Sequence, residues 1–168
     1  MINFKKDGSL EIDSTIDASL YAVFAFGVFP PDDEKVTHTM DQIFDKLSVG
    51  GGLIRYENDP YYRENESAPS NPWFVCTLWK AQYLIAKAKN KTELDQCLPI
   101  LDWVADHALP SGVLAEQVNP QTHEPISVSP LTWSHGTLIA TVQQYLNKLI
   151  QIEKCPSCSM PKVSKKIS

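Results

Sequence analysis

Apolar residues return every three or four positions through most of this chain, a period that restricts it to helices packed on one another. Val36, Met40, Ile43, Phe44 and Leu47 fall on one helical face, and Leu138, Val142, Tyr145, Leu149 and Ile152 repeat the pattern near the C-terminus. Between Pro72 and Ala88, Trp73, Phe74, Leu78, Trp79, Tyr83, Leu84 and Ile85 cover more than one face, as in a helix enclosed by others. The run Leu20 to Phe26 reads similarly, with Asp17 or Thr15 as its cap. Asp32 or Asp33, after Pro30-Pro31, caps the next helix. Thr92 opens another with Asp95 placed as in a capping box, and Ser129 before Pro130 opens the last. Pro99 lies inside the helix that Thr92 opens and predicts a kink or a later start. The expectation is an all-α chain with helices at about 15–27, 32–48, 71–90, 92–109 and 129–153.

The connections alternate in length. Those after the first and third helices are short, which predicts antiparallel hairpins. Those from Val49 to Ser70 and from Pro110 to Val128 are long, turn-rich and full of polar and aromatic residues. If the helices run up and down, both long connections emerge at one end, where a shared site is expected.

Composition narrows the function. A formal net charge of −5 excludes a binder of phosphate backbones, which presents clustered Lys and Arg, so no nucleic-acid partner is expected. The apolar stretch Ile16 to Phe29 carries Asp17 and is too short to span a bilayer; neither a membrane nor a signal peptide is expected, and the setting is read as cytoplasmic. Cys76 and Cys97 lie in apolar helical runs and read as buried free thiols. Cys155 and Cys158 form one Cys-x-x-Cys within a segment, 154–168, expected to be an unstructured tail; a redox or metal role for the pair is the rival reading.

Chemistry concentrates in the long connections. Glu116 stands between Leu114, Ala115 and Val118, neighbours that would desolvate a carboxylate and tune it for acid or base work; the other reading is a solvated loop glutamate. Gly50, Gly51 and Gly52 allow a sharp turn or a close approach, but no Gly-Lys-Ser/Thr follows, so they are not a phosphate cradle and no cofactor is implied. Arg55 offers a rigid fork of donors for several oxygens together, or an ion pair with Glu57 or Asp59. Tyr56, Tyr61 and Tyr62 combine apolar faces with hydroxyls, as a sugar surface needs, or serve loop packing. His135 in the first turns of the last helix reads as packed and hydrogen-bonded. His107 and His123 have no ligand-spaced partners, so no metal site is expected.

The succession Ile16-Asp-Ala-Ser-Leu, Gly27-Val-Phe-Pro-Pro-Asp-Asp, Gly51-Gly-Leu-Ile-Arg-Tyr, Asn71-Pro-Trp-Phe-Val-Cys-Thr-Leu-Trp, Gly112-Val-Leu-Ala-Glu-Gln and Ser129-Pro-Leu-Thr-Trp-Ser-His resembles glycoside hydrolase family fifteen, the glucoamylase-type enzymes. The resemblance runs across residues 15–147 and covers only the C-terminal part of the family's catalytic domain. It implies an (α/α) toroid of six helical hairpins, of which these helices are about the last five of twelve. It also implies inversion by two glutamates, with Glu116 as the general base. Arg55 and, less centrally, Tyr56 are then contacts of the non-reducing glucose, and Trp73 is a pocket wall or a core residue. The family's general acid lies upstream of the Asp-Ala-Ser-Leu segment, and no residue here matches it. The implied substrate is an α-glucan or oligosaccharide, and the implied partner is the N-terminal part of the same domain. Without that part, an apolar flank of Leu20–Phe26 and Trp73–Ile85 should be uncovered. A non-catalytic carbohydrate-binding or regulatory module on the same scaffold is the alternative, since phosphorylase kinase large subunits carry a related domain.

Overall fold

The structure, a computed structural model, describes residues 2–154. Helices dominate it. A 3-10 turn (Ala18–Tyr21) runs into α1 (Ala22–Ala25), followed by α2 (Glu34–Leu47), α3 (Phe74–Lys87), α4 (Lys91–Leu94), α5 (Leu98–Asp106) and α6 (Thr132–Ile152). Cys155, Cys158 and the rest of the expected tail beyond 154 lie outside the described residues.

α3 is the central helix. Phe74, Val75, Cys76, Thr77, Leu78, Ala81, Gln82, Tyr83 and Ile85 are all buried, which accounts for a segment apolar on more than one face. α2 contributes Val36, Met40, Ile43 and Leu47 to a core shared with Phe24, Leu53, Trp73 and Tyr83. On the other side of α3, Ala81 and Ile85 meet Leu94, Cys97 and Ile100, and Tyr145, Leu149 and Ile152 of α6 close over them. Two polar contacts cross between α3 and α6: Gln82 Nε2 donates to Thr141 Oγ1 and Lys148 Nζ to the Ala86 carbonyl, each at 3.0 Å.

Local chemistry sets the boundaries. Asp17 accepts from the Ser19 amide and Asp33 from the Lys35 amide, so each caps as expected. The first helix is only two short turns, because Gly27 at φ 72° and the prolines after it stop the chain. The capping box sits two residues earlier than the sequence suggests. Asn90 accepts from the Glu93 amide while Glu93 accepts from the Lys89 amide, so α4 starts before Thr92. Pro99 falls in the first turn of α5, where its missing N–H costs nothing, and the expected single helix is broken by a 3-10 turn, Asp95–Cys97. Ser129 is not a cap: α6 begins at Thr132, with no side-chain cap on its N-cap residue, Leu131. Ser134 Oγ instead ties that turn to the carbonyl of Ala115 at 2.8 Å.

The structure adds short strands to the helices. β1 (Ile2–Phe4) and β2 (Leu10–Ile12) make an antiparallel hairpin. β3 (Ser48–Val49), β4 (Gly52–Ile54), β5 (Pro72–Trp73), β6 (Gln117–Val118) and β7 (Pro125–Ile126) pair in sequence order as an antiparallel meander. β3 to β5 come from the first long connection and its junction with α3, and β6 and β7 from the second. The pairing of Trp73 with Gln117 therefore joins the two connections at one place. These strands satisfy backbone groups that the long connections would otherwise bury unpaired.

The uncovered apolar surface differs from the expectation. Leu20 and Phe26 are exposed, but Trp73 to Leu78 and Ile85 are buried, because α2, α5 and α6 together surround α3. The open face lies on α6 instead, where Ile139, Val142, Leu146 and Ile150 stand on one side. Among the described residues, no helix is long and apolar enough to cross a membrane.

Candidate functional site

Arg55 follows β4 directly. Gly50 and Gly51, both at positive φ, make a two-residue turn between β3 and β4, the hairpin geometry that suits the strand twist. Gly52 answers a different need. A Cβ there would lie 2.8 Å from the Pro72 Cβ and from Thr77 Oγ1, so strand and helix close only on a glycine. Beyond Ile54 the chain is held to the first helical segment. The Ala18 amide donates to the Arg55 carbonyl and the Glu57 amide to the Ile16 carbonyl, at 2.8 and 3.1 Å, around a bridge between Asp17 and Tyr56.

The Arg55 side chain is fixed by Asp59. Its Nε and Nη2 donate to the two Asp59 oxygens at 3.0 and 2.9 Å, and Asp59 Oδ1 also accepts from the Tyr61 amide at 3.1 Å. Asp59 is 1% exposed, so this is a buried carboxylate answering a half-buried cation. Burial pulls the Arg55 guanidinium downward, but the hydrogen bond and charge of Asp59 outweigh it and leave the group above its ordinary value. The guanidinium carbon lies 4.6 Å from the Trp73 ring, 4.9 Å from Tyr56 and 5.5 Å from Tyr61. Of the two ion-pair partners open to Arg55, Asp59 is the one used; Glu57 accepts from the Ile16 amide.

Arg55, Tyr56 and Trp73 border a cavity of about 370 Å³, lined also by Asp17, Ser19, Val75, Cys76, Trp79 and Trp133. Trp73 is both core and wall: it is 5% exposed, belongs to the α2–α3 core, and borders the cavity. Trp133 is exposed and meets Trp79 edge to face at 5.9 Å, and Trp79 stacks on Tyr21 at 4.3 Å. Burial, and then the charge of Asp17, push the Cys76 thiol far above its ordinary range, so it is a neutral wall and not a nucleophile.

Glu116 precedes β6. Its amide donates to the Val128 carbonyl at 2.9 Å, and its own carbonyl accepts the first amide of α3, that of Phe74, at 3.3 Å. Its carboxylate accepts from Ser127 Oγ at 2.5 Å, and Ser127 is held at φ 68°. Leu114, Ala115, Gln117 and Val118 are all buried, and Glu116 itself is half-buried. The next residue, Gln117, pairs across from Trp73, so Glu116 lies at the same sheet as Arg55. It does not border the 370 Å³ cavity, however: Arg55, Tyr56 and Trp73 come together there and Glu116 stands beside them. His135 Nε2 accepts from the Leu114 amide at 3.0 Å, the packed role expected of it.

Several of these features escape sequence reasoning. Trp133, Trp79 and Asp17 carry helical or capping signals that hide a second role as cavity wall. Ser127 reaches Glu116 only through the β6–β7 pairing. His107 and His123, which have no ligand-spaced partners in sequence, meet in space with their ring nitrogens 3.2 Å apart.

Comparison with known proteins finds relatives over most of the chain. A family model described as glycosyl hydrolases family 15 matches residues 2–102 and 97–143. An uncharacterized glycosyl hydrolase of Methanocaldococcus jannaschii is 28% identical over 144 residues, covering 79% of this chain and 22% of that protein. An isomaltose glucohydrolase of Kribbella flavida is 31% identical over 135 residues, covering 73% of this chain and 32% of that protein. The crystal structure of a bacterial glucoamylase complexed with acarbose superposes with a TM-score of 0.71 at 22% identity, over 88% of this chain and 23% of that one, a likeness of fold. The chain thus spans about a fifth to a third of the length of these relatives.

Proposed function

The chain belongs to glycosyl hydrolases family 15, and on that premise we propose that it supplies the general base and part of the sugar pocket of an inverting glycosidase acting on α-glucosides. The observation that carries this reading is the Arg55 fork, clamped by Asp59 and flanked by Trp73 and Tyr56 in a cavity joined through β5 and β6 to Glu116. A glucose ring offers an apolar face and several hydroxyls together. Aromatic faces suit the first, and Arg55 Nη1, which the Asp59 pair leaves over, suits the second.

In this scheme Glu116 takes a proton from a water as its oxygen bonds to the anomeric carbon. The bond from that carbon to the leaving oxygen breaks, and the leaving oxygen takes a proton from a carboxylic acid in the remainder of the domain. Ser127 donates to one carboxylate oxygen and leaves the other for the water. The remainder of the domain packs on the open face of α6, extends the cavity toward Glu116, and completes the six-hairpin toroid with about seven further helices. The setting we propose is the cytoplasm, which suits the buried free thiols Cys76 and Cys97. Titration of the chain with maltose or isomaltose, followed by tryptophan fluorescence, tests the pocket. Saturable binding lost in Arg55→Met is expected; no binding, or binding indifferent to Arg55, counts against it.

A further inference from the structure

Two histidines meet outside this pocket. His107 ends α5, and His123 stands in the loop between β6 and β7. His107 Nδ1 lies 2.7 Å from the Trp103 carbonyl, which can only accept, so Nδ1 carries the hydrogen and Nε2 presents a bare lone pair. That Nε2 lies 3.2 Å from His123 Nδ1. The Trp103 ring stacks on His107 at 4.3 Å, and its Nε1 donates to the Gly50 carbonyl at 2.8 Å, so the imidazole is oriented by a group that is itself anchored. The loop is equally defined. Asn119 accepts from the amides of Gln121 and Thr122, its backbone pairs with Glu124 and His123, and His123 is held at φ 64°.

We propose that His107 Nε2 and His123 Nδ1 form a two-histidine site for a borderline divalent transition ion, of which Zn²⁺ is the type. Two nitrogens bound to tetrahedral zinc at roughly 2.0–2.1 Å stand about 3.3 Å apart, close to the spacing here. A ligating histidine ordinarily gives its other N–H to a carbonyl, the bond His107 makes to Trp103. When the ion binds, the hydrogen that His123 Nδ1 donates to His107 Nε2 passes to His123 Nε2 through solvent, so both ligating nitrogens offer a lone pair and both rings stay neutral. Among the described residues no cluster of three His, Cys, Asp or Glu offers a fuller ligand set, so solvent completes the coordination at the exposed His123. Bound metal staples the β6–β7 loop to α5 and stiffens the ladder that brings Ser127 to Glu116. The inference rests on the two imidazoles and not on the glycosidase reading.

The test is calorimetric titration of the full chain with Zn²⁺ at neutral pH, in a background of Cys155→Ser and Cys158→Ser so that the second candidate ligand pair is removed. One ion per chain is expected, with affinity reduced at least about tenfold in His107→Gln and in His123→Asn. Asparagine tolerates the left-handed backbone at 123, so that variant keeps its loop and serves if His107→Gln fails to fold. Zn²⁺ should also slow amide exchange across 119–124 in the parent and not in His123→Asn. Absence of saturable binding, or binding retained in His123→Asn, overturns the proposal.

Discussion

Replacing Asp59 by alanine should destabilise the chain more than loss of an ordinary loop aspartate. Asp59 accepts three hydrogen bonds, two from Arg55 and one from the Tyr61 amide, while its side chain is 2% exposed. Removing one partner of a fully buried pair costs about 3–5 kcal/mol. Arg55 keeps 36% side-chain exposure, so solvent recovers part of its charge and the pair contributes nearer about 2 kcal/mol. The orphaned Tyr61 amide adds about 1 kcal/mol. The sum, about 3 kcal/mol, lowers the urea midpoint by about 1.5 M at a slope of roughly 2 kcal/mol per molar. Equilibrium urea unfolding followed by tryptophan fluorescence measures it. Glu11→Ala is the control, since Glu11 pairs with Lys5 only at 4.0 Å with both side chains more than half exposed; it should change stability by less than about 0.5 kcal/mol. If Asp59→Ala behaves like Glu11→Ala, the clamp on Arg55 is a solvated contact and the reasoning fails.

Two further outcomes follow from the same packing. Gly52→Ala places a methyl 2.8 Å from Thr77 Oγ1, which cannot retreat because it accepts from the Leu53 amide and donates to the Trp73 carbonyl; a cost of about 2 kcal/mol, roughly 6 °C in Tm, should appear by calorimetry. Burial pushes the Cys97 thiol up to about 11 and the Cys76 thiol higher still, so peptide mapping after thiol labelling at about pH 8 should find both unmodified until urea unfolds the chain.

The helices with a long stripe were legible from sequence. Val36, Met40, Ile43 and Leu47 identify α2, and Tyr145, Leu149 and Ile152 identify the packed face of α6, because burial repeats the helical period over several turns. The meander was not legible, since strands of two or three residues are too short to show alternation, and Trp73 and Gln117 find each other across 44 positions. Arg55 and Glu116 stood out by residue type in loops otherwise rich in turn formers. Which carboxylate held Arg55 did not, because Glu57 and Asp59 are equivalent on paper and only the turn that buries Asp59 decides between them. His107 and His123 share the same obstacle: their meeting depends on where α5 ends and how the β6–β7 loop turns.

The role proposed for Glu116 is that of base in a glycosidase whose acid lies in the remainder of the domain. Reconstitution tests it: the chain is co-expressed with the N-terminal portion of a family member carrying the acid, with and without Glu116→Gln, and glucose release from maltose is measured. No measurable hydrolysis by the chain alone is expected, with activity on reconstitution and a loss of about 10²- to 10⁴-fold in Glu116→Gln. Hydrolysis by the chain alone, or reconstituted activity indifferent to Glu116, would contradict it.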